Sequence, residues 1–240
     1  TEMDSMPTEL DEIRRKILQH EIEETVLKKE TDKLADEELD EVQKELYTAN
    51  AVKLKRELEG QSDQEYGSGR MQVLAELTKL RQVCCDPKLY YENYRGTSAK
   101  LETCMELLNG AVEAGHKVLL FSQFTSMLDI IGKRLDKDKV KYHVLTGATS
   151  KEDRMRMVNQ FHEDDVPVFL ISLKAGGTGL NLTAADVVIH YDPWWNVAAQ
   201  NQATDRTHRI GQEKQVSVFK LIMKDTIEES ILKLQEAKKS

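Results

Sequence analysis

The stretch Ser172–Gln212 reads SLKAGGTGLNLTAADVVIHYDPWWNVAAQNQATDRTHRIGQ, and the interpretation of the whole chain begins from it. A glycine-rich loop follows one short apolar run, and a second apolar run, Val187–His190, comes next. A helical pattern then carries Arg206 and Arg209 near its end. Short apolar runs joined by such loops and helices are typical of α/β folds with buried parallel strands.

The chain from Lys117 onward repeats this alternation. Runs of four to six mostly apolar residues, each followed by a helical or polar segment, occur at Lys117–Phe121, Tyr142–Leu145, Pro167–Ile171, Val187–His190 and Val216–Leu221. Runs of this length predict a doubly wound parallel sheet that is buried on both faces. Ligands of such sheets bind beyond the carboxyl ends of the strands. Polar or glycine-rich segments stand at those ends, at 122–123, 146–147, 172–181 and 192–196.

The N-terminal part of the chain is an α-helical extension. Apolar residues recur at helical spacing through residues 8–59, and a break near 30–36 predicts two helices there. Further helices are expected at 71–85 and at 98–114, the latter ending at Gly115. We divide the chain into an acidic helical protrusion or linker (1–65), helices leading into the sheet (66–115), the α/β lobe (116–224) and a C-terminal helix (225–240). The acidic helices are either a solvated appendage or a partner-binding coiled coil.

Capping patterns mark the starts of two helices in the second half of the chain. Ser150 stands three residues before Asp153, and Asp225 stands three residues before Glu228. Both pairs match the pattern of a reciprocal N-terminal cap.

Net charge is distributed unevenly along the 240 residues. The whole chain carries −8, but residues 1–65 hold 10 Lys and Arg against 20 Asp and Glu. The remainder is nearly balanced and can carry a local basic face. Three cysteines without a C-x-x-C pattern indicate reduced thiols inside a cell. No run of about 18 apolar residues occurs, so we expect no membrane contact and a cytoplasmic protein.

The loop Ala175–Gly179 has the composition of an anion-binding turn. Its three glycines allow positive φ and close approach of the backbone to a ligand. Ser172, Lys174 and Thr178 add two hydroxyl groups and a cation. A tight turn without a ligand is the alternative. Leu180 stands where a P-loop would have its lysine, so this loop is not a P-loop.

The helix after the second apolar run carries a candidate phosphate clamp. Gln202, Arg206 and Arg209 are four and seven residues apart and share one face. Guanidinium groups bind phosphate oxygens in pairs. The alternative is that carboxylates such as Asp205 neutralise the arginines. Trp194 precedes this helix, either as core packing or as an aromatic surface beside a nucleic acid.

The motifs that bind the phosphates and Mg²⁺ of ATP do not occur in this sequence. It has no G-x-x-x-x-G-K-[ST] motif and no apolar run that ends in Asp-Glu. ATP hydrolysis needs a cradle for the β- and γ-phosphates and a carboxylate for Mg²⁺. We therefore expect the isolated chain to be inactive as an ATPase, and we find no metal-ligand pattern.

Several of these segments together resemble a known family. They are KVLLFSQF (117–124), LTGATSKEDR (145–154), ISLKAGGTGLNLTAAD (171–186), YDPWWN (191–196) and QATDRTHRIGQ (202–212). In this order they resemble the second RecA-like lobe, the helicase C-terminal lobe, of the Swi/Snf family of superfamily-two ATPases, most closely its bacterial members. The resemblance spans about Met71 to Lys239.

The resemblance implies roles for individual residues. Arg206 and Arg209 match the arginine fingers that complete an ATP site built mainly by the first lobe. The residues that would support that site are Gln202, Asp205, Gly177 and Gly179. The residues that would contact DNA are Ser122, Gln123, Thr146, Gly147, Ser172, Lys174, Thr178 and Trp194. The C-terminal helix resembles the brace that returns toward the first lobe.

The implied function is that of a C-terminal motor lobe of a double-stranded-DNA translocase. Its implied partners are duplex DNA, ATP with Mg²⁺, and the first RecA-like lobe of the same polypeptide. We expect a monomer in the bacterial cytoplasm, associated with the nucleoid. Two alternatives are a non-catalytic interaction module derived from such a lobe, and an unrelated phosphate-binding α/β enzyme that uses the arginines as a substrate clamp.

Overall fold

A computed structural model describes residues 41–59, 66–176, 179–205, 207 and 214–237 of the chain. These residues form two compact units. One unit combines the described residues up to Lys100 with those from Met223 onward, and the other runs from Leu101 to Ile222. Within the first unit, the C-terminal helix packs with the N-terminal helices.

The second unit is built on a five-stranded, fully parallel sheet. Its strands are β1 (Val118–Ser122), β2 (Tyr142–Leu145), β3 (Val168–Ser172), β4 (Val187–His190) and β5 (Ser217–Lys220). They lie in the order β2-β3-β1-β4-β5. The three central strands are buried along their whole length, whereas β5 at one edge is largely exposed. The predicted α/β fold with a parallel sheet is therefore confirmed.

Helices alternate with these strands along the chain. They are α3 (Ala99–Glu113, which begins in the first unit), α4 (Thr125–Lys137), α5 (Lys151–Glu163), α6 (Leu173–Gly176) and α7 (Val197–Asp205). Helix α4 buries Met127, Leu128, Ile131 and Leu135, whose spacing places them on one face. Phe161 of α5 packs edge-on against Phe169 of β3, with 5.2 Å between ring centroids.

Two of the predicted helix ends form as the sequence indicates. The Ser150 hydroxyl accepts the Asp153 N–H at 3.1 Å and caps α5. Gly115 follows α3 with φ +84°, and the next N–H, of His116, donates to the Ala111 carbonyl at 3.0 Å. This left-handed position after a helix is the one that glycine occupies most readily.

The first unit contains α1 (Glu41–Glu59), α2 (Tyr66–Cys85), a 3₁₀ turn at Pro87–Leu89 and α8 (Ile227–Ala237). Its core is apolar and combines residues of α1 and α2, which include Ala51, Leu54, Leu58, Val73, Leu77 and Leu80. The predicted break near 30–36 and the helix before it lie outside the described residues. None of the helices that the structure describes combines the length and apolar character of a membrane span.

The start of α8 differs from the predicted cap. Thr226, rather than Asp225, supplies the oxygen that accepts the Glu228 N–H, at 3.2 Å. Asp225 itself has φ +56°. The Glu228 carboxylate accepts the Met223 N–H at 2.9 Å and also binds Lys100. The local pattern was misleading because Glu228 has a stronger partner far away in the sequence.

Candidate functional site

Three of the predicted site residues lie in one row at the carboxyl edge of the sheet. Ser122, the last residue of β1, is directly opposite Ser172, the last residue of β3. Leu145 of β2 pairs with Ile171, so Thr146 continues that row on the other side of β3. Neighbouring strands are about 4.8 Å apart, so the loops that follow these three residues begin side by side.

The Ser122 side chain is enclosed at this edge. It is buried, and its hydroxyl donates to Asp192 Oδ1 at 2.5 Å while it accepts the Phe124 N–H at 3.1 Å. The other oxygen of Asp192 accepts the Gln123 N–H at 3.3 Å. This geometry favours a role for Ser122 in holding the loop after β1, rather than a direct contact of its hydroxyl with a ligand.

Asp192 belongs to the polar segment 192–196, which the sequence places at the carboxyl end of a strand without assigning this residue a contact with DNA or ATP. Its carboxylate is buried and connects the loop after β1 with the segment after β4. A second connection lies beside it, where the Tyr191 N–H donates to the Phe121 carbonyl at 2.9 Å. The only sequence signal was an acidic residue close behind a buried apolar run.

The glycine-rich loop after β3 is held to the core by alternate residues. Leu173, Ala175, Leu180 and Leu182 belong to the buried apolar cluster of this unit, whereas Lys174 is exposed. The Ser172 hydroxyl is buried and accepts the Ala175 N–H at 3.4 Å. These contacts leave the Lys174 ammonium as the exposed cation of this loop segment.

The remaining glycines of this loop were predicted to adopt unusual backbone conformations. Gly179 has φ +74°, a value that side chains with a Cβ rarely adopt, so it supports that prediction. Gly177 and Thr178 lie outside the described residues. Their predicted contacts with ATP and DNA remain predictions.

The turn after β2 contains Thr146 and Gly147. Its two threonines are joined by two hydrogen bonds. Thr149 Oγ1 accepts the Thr146 N–H at 3.0 Å, and the Thr149 N–H donates to the Thr146 carbonyl at 3.1 Å. The Ala148 N–H donates to Thr146 Oγ1 at 3.3 Å. Gly147 is exposed, and the position of a Cβ at this residue would face open space. The turn therefore presents backbone rather than side chains at its tip.

Helix α7 leads toward the predicted arginines. Asn196 Oδ1 accepts the Ala198 N–H at 3.0 Å where the helix begins, and Ala203 is buried against the sheet. Gln202 and Asp205 are exposed. Arg206 and Arg209 lie outside the described residues, so their shared face remains a prediction.

The segment between β4 and α7 contains the aromatic candidate Trp194. Its side chain is half-buried and packs against the apolar cluster of the second unit. This placement favours the core-packing alternative for much of the ring and leaves its exposed part for other contacts.

His190 packs in the core of the sheet and is buried. Its ring stacks on Phe121 with 5.5 Å between centroids. Burial, reinforced by the positive charge of Lys220, lowers its pKa to about 3, so the imidazole is neutral near pH 7. No group of three or more His, Cys, Asp or Glu side chains in the described part of the chain is arranged to hold a metal ion.

Comparisons with known proteins agree with this architecture. Residues 99–211 match the model of the helicase conserved C-terminal domain. The putative ATP-dependent helicase/translocase YwqA of Bacillus subtilis is 43% identical over 176 residues, which are 70% of this chain and 19% of that protein. The chain thus spans about a fifth or less of the curated relatives it matches.

Solved structures show the same similarity. The SWI2/SNF2 ATPase C-terminal domain of Sulfolobus solfataricus is 31% identical, with a TM-score of 0.67 over 83% of this chain and 82% of that one. The SWI2/SNF2 ATPase core from that organism, solved with double-stranded DNA, is 32% identical, with a TM-score of 0.69. That match covers 83% of this chain and 42% of the other.

Proposed function

The chain belongs to the Swi/Snf family of ATP-dependent helicases as their RecA-like helicase C-terminal domain, and on that premise we propose that it is the second motor lobe of a double-stranded-DNA translocase. The observation that carries the proposal is the row of Ser122, Ser172 and Thr146 at the carboxyl edge of the sheet. Loops at such an edge form the ligand-binding surface of parallel α/β sheets.

The proposed DNA contacts are the loops that start from this row. The Gly147 backbone and the Lys174 ammonium are exposed there. Backbone N–H groups and lysines are common donors to DNA phosphates and carry no base information. Ser122 and Ser172 hold these loops in place. The proposal therefore predicts binding to duplex DNA that depends on salt and not on base sequence.

The proposed nucleotide contacts come from the residues after helix α7. Arg206 and Arg209 would act as arginine fingers, and Gln202, Asp205, Gly177 and Gly179 would support the same site. ATP supplies the free energy for movement along DNA when it is hydrolysed. The described residues contain neither a P-loop nor a metal-ligand group, so Mg²⁺ and most of the nucleotide would be held by a first lobe of the same polypeptide.

The test uses the full-length protein, purified as a monomer. Arg206→Ala and Arg209→Ala should each lower DNA-stimulated ATP hydrolysis by roughly 10³-fold or more, because arginine fingers stabilise charge in the transition state. Binding to duplex DNA should stay within about twofold of wild type. The matched control is Arg156→Ala, which removes an exposed arginine that pairs with Asp153 on α5.

Three results would contradict parts of this proposal. Near-normal turnover by both variants would exclude the arginine fingers. ATP hydrolysis by the isolated 240-residue chain would show that it contains a complete site. A full-length protein whose ATP hydrolysis does not respond to duplex DNA would exclude the translocase. We propose that this activity takes place in a bacterial cell, which the similarity to YwqA of Bacillus subtilis supports.

A further inference from the structure

Arg154 on helix α5 donates hydrogen bonds to the turn after β2 (Thr146–Thr149). Its Nε donates to the Thr149 carbonyl at 2.9 Å. Its Nη2 donates to the carbonyls of Thr146 and Gly147 at 3.4 and 3.3 Å. The side chain is half-buried, and three carbonyl groups of one short turn therefore face a single guanidinium group.

This arrangement determines which backbone groups of the turn are already hydrogen-bonded and which remain available to a ligand. Carbonyl oxygens carry partial negative charge and would repel a phosphate, but here Arg154 binds three of them on the side of the helix. The hydroxyl groups of Thr146 and Thr149 are occupied within the turn. Among the described residues, no acceptor receives the Gly147 N–H. The turn thus offers an N–H donor, without a hydrogen-bond acceptor among the described residues, at an exposed glycine that has no side chain to block approach.

The charge of Arg154 adds to this effect. The guanidinium group is a cation. Its positive charge lies against the carbonyl groups of the turn and favours the binding of an anion to the turn. Outward N–H groups with a fixed positive charge nearby are the features of a backbone anion site.

We propose that Arg154 is a positioning residue for a DNA phosphate, which it serves by orienting the Thr146–Thr149 turn without contacting the phosphate itself. The proposal rests on the proposed function, since it assigns a specific role within the same DNA-facing edge. Arg156, two residues later on the same helix, forms only an exposed pair with Asp153 among the described residues. It provides a control of equal charge that does not contact the turn.

The experiment measures ATP hydrolysis by the full-length protein as duplex DNA is added. Arg154→Ala should raise the DNA concentration for half-maximal activity about tenfold, which is the loss of roughly one phosphate contact. The rate at saturating DNA should stay within about twofold. Arg154→Lys keeps the charge but not the fork that reaches three carbonyls, so it should raise the half-maximal concentration about threefold. Arg156→Ala should leave both values within about twofold.

The salt dependence of DNA binding separates positioning from direct contact. Loss of a lysine or arginine that touches a phosphate lowers the slope of log K against log salt by about one. Arg154→Ala should lower that slope by clearly less than Lys174→Ala does, because the Arg154 charge lies near the phosphate without pairing with it. A slope lowered as much in Arg154→Ala as in Lys174→Ala would show direct contact and overturn the positioning role.

The remaining outcomes distinguish the inference from the function on which it rests. Wild-type DNA dependence in Arg154→Lys and Arg154→Ala overturns the role of Arg154 and leaves the motor lobe standing. Wild-type protein that shows no response to duplex DNA overturns the proposed function itself. The lysine variant keeps the charge and most of the stem, so it decides the question even where the alanine variant does not fold.

Discussion

The ammonium group of Lys100 donates hydrogen bonds to both carboxylate oxygens of Glu228, and each side chain is only 1% exposed. The two residues are 128 positions apart in the sequence and meet within the first compact unit. Burial by itself lowers the pKa of Lys100, but the charge of Glu228, the neighbouring Cys85 and Cys84 and the hydrogen bond to Glu228 together outweigh it, and the net pKa is raised. The pair therefore stays ionised at neutral pH and fixes the first turn of α8.

We predict that breaking this pair destabilises the protein strongly. Lys100→Met leaves a buried carboxylate and Glu228→Gln leaves a buried ammonium, and each should lower the free energy of unfolding by roughly 3–5 kcal/mol. The double variant should lose much less than the sum of the two single losses, because neither charge then lacks its partner. Guanidinium chloride unfolding measures all three values.

The control for this prediction is an exposed ion pair. Arg134 binds Glu102 through two hydrogen bonds of 2.6 and 3.0 Å, but both side chains are substantially exposed. Glu102→Gln should therefore change the free energy of unfolding by less than about 1 kcal/mol. Strictly additive losses at Lys100 and Glu228 would contradict the coupling.

A second prediction concerns the hydrogen bond between Tyr47 and Ile227. The Tyr47 hydroxyl accepts the Ile227 N–H at 2.7 Å, at the first residue of α8. Tyr47→Phe leaves this partly buried N–H without its acceptor and should cost about 1–2 kcal/mol in the free energy of unfolding. Tyr90→Phe, at an exposed tyrosine, should cost less than about 0.5 kcal/mol. Equal effects would show that the Tyr47 hydroxyl contributes no net stability.

A third prediction is a pH dependence that comes from His190. Its pKa is about 3 in the folded chain, because of burial and then of Lys220, against an ordinary value of 6.5. Below about pH 6.5 the unfolded chain binds a proton that the folded chain does not. Stability is therefore complete above about pH 6.5 and decreases as pH falls toward 3, by up to about 1.4 kcal/mol per pH unit from this residue.

The variant His190→Asn tests that sign and size. It removes the titrating group, so the free energy of unfolding should depend less steeply on pH between about 4 and 6.5 than in wild type. Lys220→Met, which removes the repelling charge, should flatten the dependence in part. An unchanged slope in His190→Asn would mean that other groups cause the acid sensitivity.

A fourth prediction concerns thiol reactivity. Cys84, Cys85 and Cys104 are fully buried, and burial raises the pKa of the Cys84 thiol far above its usual value. The thiolate is the reactive form, so the folded chain should not react with an aromatic disulfide reagent. All three thiols should react in guanidinium chloride. Met155→Cys, at an exposed position on α5, should supply one thiol that reacts at once in the folded state. A native cysteine that reacts as fast would show an opening that the structure lacks.

The strands of the sheet were predictable because burial on both faces leaves uninterrupted apolar runs. Tyr142–Leu145 and Val187–His190 agree with the structure at both ends. The strands β1 and β3 are each shifted by one residue from the predicted runs, beginning at Val118 and Val168 and ending at Ser122 and Ser172. Backbone pairing continues to Ser122 and Ser172 although the apolar pattern has ended, and both serines belong to the row at the candidate site.

The contacts that organise the site were not predictable, because they join distant parts of the chain. Ser122 and Asp192 are 70 residues apart, and neither has a local pattern that indicates the other. The same holds for Lys100 and Glu228, where a local capping pattern pointed to Asp225 instead. Arg154 was visible only as a charged residue within a helix, since its function depends on which carbonyls the turn brings toward it.

The first compact unit draws its residues from two distant parts of the sequence, whereas the second runs without interruption from Leu101 to Ile222. A ribosome adds residues in sequence order, and domains generally fold as units during synthesis. The complete sheet is therefore available for folding before Glu228 has been made. Lys100 stays without its carboxylate until then, so α8 docks onto helices synthesised much earlier only after the strands of the sheet have been made.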